Sequence, residues 1–356
     1  MRLGIIGLPQ SGKTTIFNAV TKGNSPISIS AGRVQVNTAV IDVPDARVDR
    51  LAEIFHPRKS IYAKITYADI AGLDGSAGKS GISGSLLNQL TQMDGFIHVL
   101  RCFEDANVPH QEGSVDPVRD LNMMDTEFIL NDLVFVERKL ERLADERRKG
   151  GGRDRAQIDR DIHLFERMQE ALNKETPLRD LEFSQDELVN LSGFGFLTLK
   201  PVMILFNRGE GQPAPQIEYP HHHAMLADIQ GKLEMDMAQL SAEDAQMFMA
   251  EYGISELSLN RMIKYSYDLL GQHSFFTIGE DECRAWTVRQ GTLAPEAAGT
   301  IHTDLQKGFI RAEVVSYDDL IALGGMNEAK AKGKLRLEGK EYLVKDGDIL
   351  NIRFNI

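Results

Sequence analysis

The stretch "GLPQSGKT", residues 7–14, stands between a strand-like run "RLGIIG" and a helix-like run "KTTIFNAVTKG". It matches G-x-x-x-x-G-K-[ST] at Gly7, Gly12, Lys13 and Thr14. A strand, a glycine loop and a helix in immediate succession form a phosphate-binding turn, and that turn belongs to α/β chains. Glycine lets successive backbone amides curve around an anion. The helix N-terminus adds unpaired N–H groups and a favourable dipole. Lys13 is expected to reach the outer phosphates, and Thr14 to ligate magnesium. Ile16, Phe17 and Val20 mark the apolar side of the helix.

A second element reports the terminal phosphate. The run "SIYAKITYADIAGL" reads as one strand ending in Asp69, Ala71 and Gly72, a D-x-x-G arrangement. Asp69 can hold a magnesium-bound water, and the Gly72 amide can meet a γ-phosphate. The glycine-rich tract "GLDGSAGKSGISGS" then reads both as a surface loop and as a segment that orders around that phosphate. Leu73, after D-x-x-G, cannot orient a water through a polar side chain, and Asp74 is read as a loop charge. A later apolar run, "LKPVMILFNRGE", ends in Asn207 and Glu210. Guanine-specific switches usually end this strand in Asn-Lys-x-Asp. Here Arg208 takes the lysine position and Glu210 the aspartate position, which turns the expectation towards adenine.

The 356 residues suffice for two or three domains, and 42% apolar residues suit buried cores. No apolar run reaches the roughly 20 residues that a bilayer requires, so no membrane partner is expected. "MRLGIIGLP" shows no charged leader or cleavage site, and Cys102 and Cys283 lie far apart. A cytoplasmic chain with reduced thiols is the expectation. The net charge of -12 does not suit a protein that holds nucleic acid chiefly through phosphates. The run "ERKLERLADERRKGGGRDR" mixes acids with its bases. It reads as a solvated helical face or as a local ribosomal or RNA contact.

Between the nucleotide-site strands lies a helical insertion. Leu133, Val136, Leu140 and Leu143 make one stripe, and Ile158, Ile162, Phe165 and Leu172 another, with "GGG" between them. An antiparallel hairpin is predicted. "HHHAM" at His221–His223 reads as a polar loop, because adjacent histidines do not converge on a tetrahedral metal. From about residue 273, "SFFTIG", "CRAWTV", "GFIRAEVVS" and "YLVKDGDILNIRFNI" suggest short strands, with helices near "TDLQKGF" and "SYDDLIALGG". His302 and Asp304 in that module are read as turn or surface residues.

These residues together resemble the Obg-like ATPases of the YchF/OLA1 group, translation-factor-related P-loop GTPases. The resemblance spans nearly the whole chain, from "GLPQSGKTTIFNAVTKG" through "VPDARVDRLAEIFHPRK", "DIAGL" and "HVLRCFED" to "FFTIGEDECRAWTVRQGTLAPEAAGTIHTDLQKGFIRAEVVSYDDL" and "KDGDILNIRFNI". It implies a P-loop NTPase G domain at 1–122 and 198–272, an inserted helical coiled coil at 123–197, and a C-terminal TGS-like β-grasp domain at 273–356. It further implies slow, magnesium-dependent ATP hydrolysis and association with the ribosome or translation and stress machinery. The expected contacts run through the helical and TGS-like domains. Lys13 and Gly72 then take catalytic roles, and Thr14 and Asp69 the metal. Gly7, Pro9, Gln10, Ser11, Gly12, Lys13, Thr14, Thr15, Gly72, Asn207 and Glu210 hold the nucleotide. Asn207 and Glu210 match the family's Asn-x-x-Glu, and Leu73 its hydrophobic residue after D-x-x-G.

Three positions depart from the family pattern. Gln10 replaces an asparagine associated with potassium, which counts against potassium dependence. Arg33 stands at about the position of the family's first-switch threonine, and Thr38 is not given that role. "DGSAGKSGISGS" is worded differently and is about one residue shorter than usual. The fifth nucleotide motif has "QGKLE" at 230–234 as its nearest candidate. Besides the ATPase switch, a nucleotide-binding scaffold with little turnover and a GTPase stay open.

Overall fold

The computed structural model describes residues 1–21, 27–31, 34–70, 82–150, 152–251 and 256–355. Expectations for Arg33, Gly72, Leu73, Asp74 and most of the glycine-rich tract fall outside these residues. The chain forms two compact units, one of residues 1–39 and 66–259, the other of 40–65 and 260–356.

The first unit is built on a seven-stranded sheet of order β2-β3-β5-β1-β6-β7-β8. These strands are β1 (Arg2–Ile6), β2 (Ile27–Ala31), β3 (Val34–Asp42), β5 (Lys64–Ile70), β6 (Gly95–Cys102), β7 (Val202–Arg208) and β8 (Ala224–Ile229). β1 pairs in parallel with β5 and β6, and β7 in parallel with β6 and β8. Parallel strands carry helices on both faces, so their residues read as continuous apolar runs. Helix α1 (Lys13–Thr21) buries Ile16, Phe17 and Val20, the stripe expected of it. On the opposite face, α3 (Gly84–Thr91) brings Leu86 and Leu90 into a cluster with Ile6, Ile70, Phe96 and Phe206.

The predicted hairpin is present as α4 (Pro117–Lys149) and α5 (Arg155–Asn173). Asp116 caps α4 by accepting from Arg119 N–H, Pro117 opens it, and Gly150 ends it in the left-handed conformation at φ 74°. Val136, Leu143, Ile158, Phe165 and Leu172 are buried in one core, with Leu133, Leu140 and Ile162 packed against it. Phe194 and Phe196, beyond α6 (Gln185–Leu191), add rings at 5.7 Å and 6.3 Å from Phe165. Asp132 in α4 accepts from the Leu197 and Thr198 N–H groups and from Thr198 Oγ1, and so fastens the insertion where the chain returns to β7. The first unit also contains α7 (Gly231–Ala238) and α8 (Ala242–Glu251).

The run read as one strand from Ser60 to Asp69 is two. β4 (Lys59–Ile61) pairs in parallel with β10 (Glu282–Arg289), whereas β5 pairs with β1. Tyr62 and Ala63 break the strand pattern, and the Ala63 carbonyl accepts from Val43 N–H at 2.8 Å. Apolar content alone cannot show such a change of sheet.

The second unit carries a six-stranded mixed sheet of order β12-β11-β13-β9-β10-β4. It uses β9 (Gln272–Ile278), β11 (Phe309–Ser316), β12 (Arg336–Glu338) and β13 (Asp348–Phe354). Helix α2 (Ala46–Phe55), capped by Asp45, buries Val48 and Leu51 in this unit, which also holds most of α9 (Ser258–Leu269). Ala294, Ala297 and Ala298 of α10 (Ala294–Ile301) pack against Phe275, Val288 and Val314. The short helices α11 (Thr303–Lys307) and α12 (Tyr317–Leu323) fall where they were expected, and α13 (Met326–Ala331) follows. His302 caps α11 by accepting from Asp304 N–H, a turn role.

Candidate nucleotide site

The phosphate loop runs from the end of β1 to the start of α1. Gly7 and Gly12 hold φ of 146° and 96°, in the region that favours glycine. A Cβ on Gly7 would lie 2.5 Å from the Val99 carbonyl oxygen, and one on Gly12 would overlap Asn207 Nδ2. Both glycines are therefore needed for close approach as well as for conformation. Gln10 is exposed and also left-handed, at φ 63°, where asparagine is more at home than glutamine.

Lys13 Nζ donates to the carbonyls of Gly7 and Leu8, each at 2.8 Å. Burial pulls its pKa down to about 8, and the nearby Asp69 charge opposes that fall. The ammonium lies inside the loop that would receive phosphates. Thr14 Oγ1 donates to Asp69 Oδ2 at 3.0 Å, which joins the start of α1 to the end of β5. Asp69 is 6% exposed, and its Oδ1 is buried without a hydrogen-bond partner among the described residues. Burial raises its pKa, against the pull of Thr14 and Lys13. A hydroxyl beside an under-satisfied carboxylate is a hard-oxygen donor set of the kind magnesium takes. Thr14 and Asp69 would hold the ion, which supplies charge neutralisation to the phosphates when bound.

Asn207 is 4% exposed at the end of β7. Its Nδ2 donates to the Ser11 carbonyl, and its Oδ1 accepts from Gly231 N–H, both at 3.0 Å. The asparagine therefore clamps the phosphate loop to the first residue of α7, within the "QGKLE" run. Arg208 pairs with Asp228 on β8. Glu210 is exposed in the turn that follows. Pro9, Ser11 and Thr15 lie in the loop and first turn as expected, with Ser11 2% exposed and its hydroxyl without a partner among the described residues.

His98 is a site neighbour that sequence reasoning passed over. It sits on β6 beside Ile6 and is 1% exposed, with Nε2 unpartnered among the described residues. Burial and the Lys13 charge push its pKa down to about 3, so it stays neutral. The only signal was a histidine inside the apolar run "FIHVL". At "HHHAM", His221 Nδ1 lies 2.7 Å from Asp180 Oδ2, and His222 N–H donates to Asp180 Oδ1.

Comparison with known proteins shows the family. A model described as "50S ribosome-binding GTPase" matches residues 2–139, and the C-terminal YchF-GTPase model, described as a protein of unknown function, matches 272–355. The chain is 38% identical over 365 residues to "Ribosome-binding ATPase YchF" of Bacillus subtilis, covering 99% of each. It belongs to the YchF/Obg-like ATPase family. The Haemophilus ducreyi YchF is 39% identical over 364 residues, and "Obg-like ATPase 1" of Oryza sativa is 36% identical over 368, with 92% of the rice protein covered. The solved "Schizosaccharomyces pombe YchF GTPase" superposes with a TM-score of 0.82 at 29% identity, over 99% of this chain and 97% of that one. The α/β P-loop architecture expected from the sequence is thus that of the YchF family. No helix among the described residues is long and apolar enough to cross a membrane.

Proposed function

We propose that this YchF-family chain is a magnesium-dependent nucleotide switch that binds ATP in preference to GTP, hydrolyses it slowly and acts with the ribosome in the cytoplasm. The observation that carries the reading is the joined set of Lys13, Thr14 and Asp69, with the Thr14–Asp69 bond at 3.0 Å. Lys13 supplies a desolvated positive charge for the outer phosphates. Thr14 and Asp69 hold the metal, and Asn207 fixes the loop that carries Lys13. Gly7 to Thr15 wrap the phosphates, the Gly72 amide meets the γ-phosphate, and Glu210 reads the adenine edge. Leu73 offers no polar group to the attacking water, which suits slow turnover. Ribosome association rests on the names of the relatives in Bacillus and Haemophilus. The helical and TGS-like parts of the chain are the proposed contacts. Gln10 lacks the asparagine associated with potassium, so equal rates are expected in potassium and sodium.

Paired titrations with ATP and GTP, read beside phosphate release with and without magnesium, test the reading. Tighter ATP binding with slow, magnesium-dependent release is expected. Preferential GTP binding would support the GTPase alternative, which the naming of the fission-yeast neighbour as a GTPase favours. Strong ATP binding without release would favour a scaffold, the reading that Arg33 suggests.

A further inference from the structure

Arg208 holds the position at which guanine-specific switches carry a lysine, but its guanidinium is committed elsewhere. Nε donates to Asp228 Oδ2 at 3.1 Å, and one terminal nitrogen donates to the same oxygen. The other terminal nitrogen donates to the Gln212 carbonyl. Gln212 in turn closes the turn that starts at Gly209. Its N–H donates to the Gly209 carbonyl at 3.3 Å, and its Oε1 accepts from Gly209 N–H at 3.2 Å. Between these closing contacts stand Glu210 and Gly211, the latter at φ 69°.

We propose that Arg208 is a positioning residue for base selection: it ties the 209–212 turn to β8 through Asp228 and Gln212, and thereby fixes where Glu210 meets the base. The inference rests on the proposed role of Glu210 in reading adenine. An exposed carboxylate beside a glycine has many positions open to it, and selectivity requires few. Asp228 lies on a sheet strand, the rigid side of the link. The Arg208 and Asp228 side chains are 18% and 31% exposed, so solvent screens this pair less than a surface pair. Stacking Arg208 on a purine would break its three hydrogen bonds, so the residue acts through the turn and not on the base.

Calorimetric titration of the full chain with ATP, GTP and inorganic tripolyphosphate, all with magnesium, separates base from phosphate binding. In Arg208→Ala, ATP affinity is expected to fall about 5- to 10-fold while GTP and tripolyphosphate affinities stay within about twofold, so that the ATP-to-GTP ratio falls with it. Asp228→Ala should do the same, and the double variant should be no worse than either single one, as expected of one linked unit. Arg208→Lys should recover only part of the loss, because an ammonium cannot span both acceptors in the guanidinium's geometry. Parallel losses for ATP and tripolyphosphate, or additive losses in the double variant, would overturn the proposal. Amide exchange across residues 209–212 in nucleotide-free protein tests the strut separately. Faster exchange in Arg208→Ala supports it, and unchanged rates refute it. A Glu210→Ala variant with an unaltered ATP-to-GTP ratio would sink the adenine reading and with it the base-selection role of Arg208, leaving only the strut that the exchange rates report.

Discussion

The Asn207 side chain donates to the Ser11 carbonyl at 3.0 Å, joining positions 196 residues apart in the chain. Its other end accepts from Gly231 N–H, so a single buried amide satisfies one group on the phosphate loop and one at the start of α7. Replacing it by alanine would orphan both. Asn207→Ala is expected to cost about 2 kcal/mol, measured by urea denaturation, and to weaken ATP binding. Asn207→Asp should be worse, because a carboxylate cannot donate to the Ser11 carbonyl. Equal stability of wild type and Asn207→Ala would mean that water replaces the clamp.

Lys13 sets a pH dependence. Its pKa in the free protein is about 8, while phosphates favour the ammonium and raise that value in the complex. The complex then binds more protons than the free protein above that pH. Affinity for ATP is therefore expected to hold below pH 8 and to fall above it, approaching about tenfold per further pH unit. Lys13→Arg should abolish the inflection, and Lys13→Ala should cost about a hundredfold or more in triphosphate affinity. Binding isotherms from neutral to alkaline pH decide the matter; a flat wild-type profile would contradict this account.

Asp69→Asn keeps the shape beside Thr14 but removes the charge. The magnesium concentration that half-saturates ATP binding should rise by about tenfold or more. Because Asp69 props up the Lys13 pKa, the alkaline inflection should also move to lower pH. Unchanged magnesium dependence would remove Asp69 from the metal site.

The insertion should fail at Asp132. This carboxylate is 1% exposed and accepts from the Leu197 and Thr198 backbone and from the Thr198 hydroxyl. Burial raises its pKa against those bonds. Asp132→Ala takes the acceptor from these three donors and from the Asn131 side-chain amide, and should cost about 3 kcal/mol, seen as earlier proteolysis between residues 117 and 197. Tripolyphosphate binding at the phosphate loop should be much less affected.

The phosphate loop was legible because its chemistry is contiguous: glycines, lysine and threonine stand in one run, and the flanking periods fix strand and helix. The hairpin was legible for a similar reason, since Val136, Leu143, Ile158 and Phe165 lie on stripes that only a helix would make. Relations across long separations were not legible. Nothing near Asn207 announces Ser11, and the Arg208 side chain takes its direction from Asp228 on another strand. The β4–β5 break was hidden because "SIYAKITYADI" runs on with no glycine or proline to mark the change of sheet. Only the pairing partners, β10 and β1, reveal that they belong to different sheets.

The split origin of the second unit has a consequence for biogenesis. Helix α2 and strand β4 leave the ribosome long before β10, against which β4 pairs. Until then Val48 and Leu51, fully buried in the finished fold, have no sheet to cover them. A nascent chain stalled before Gln272 would expose that greasy stripe to chaperones. A genetically excised nucleotide unit would do so permanently, and is expected to aggregate unless residues 40–65 are bridged by a short polar linker.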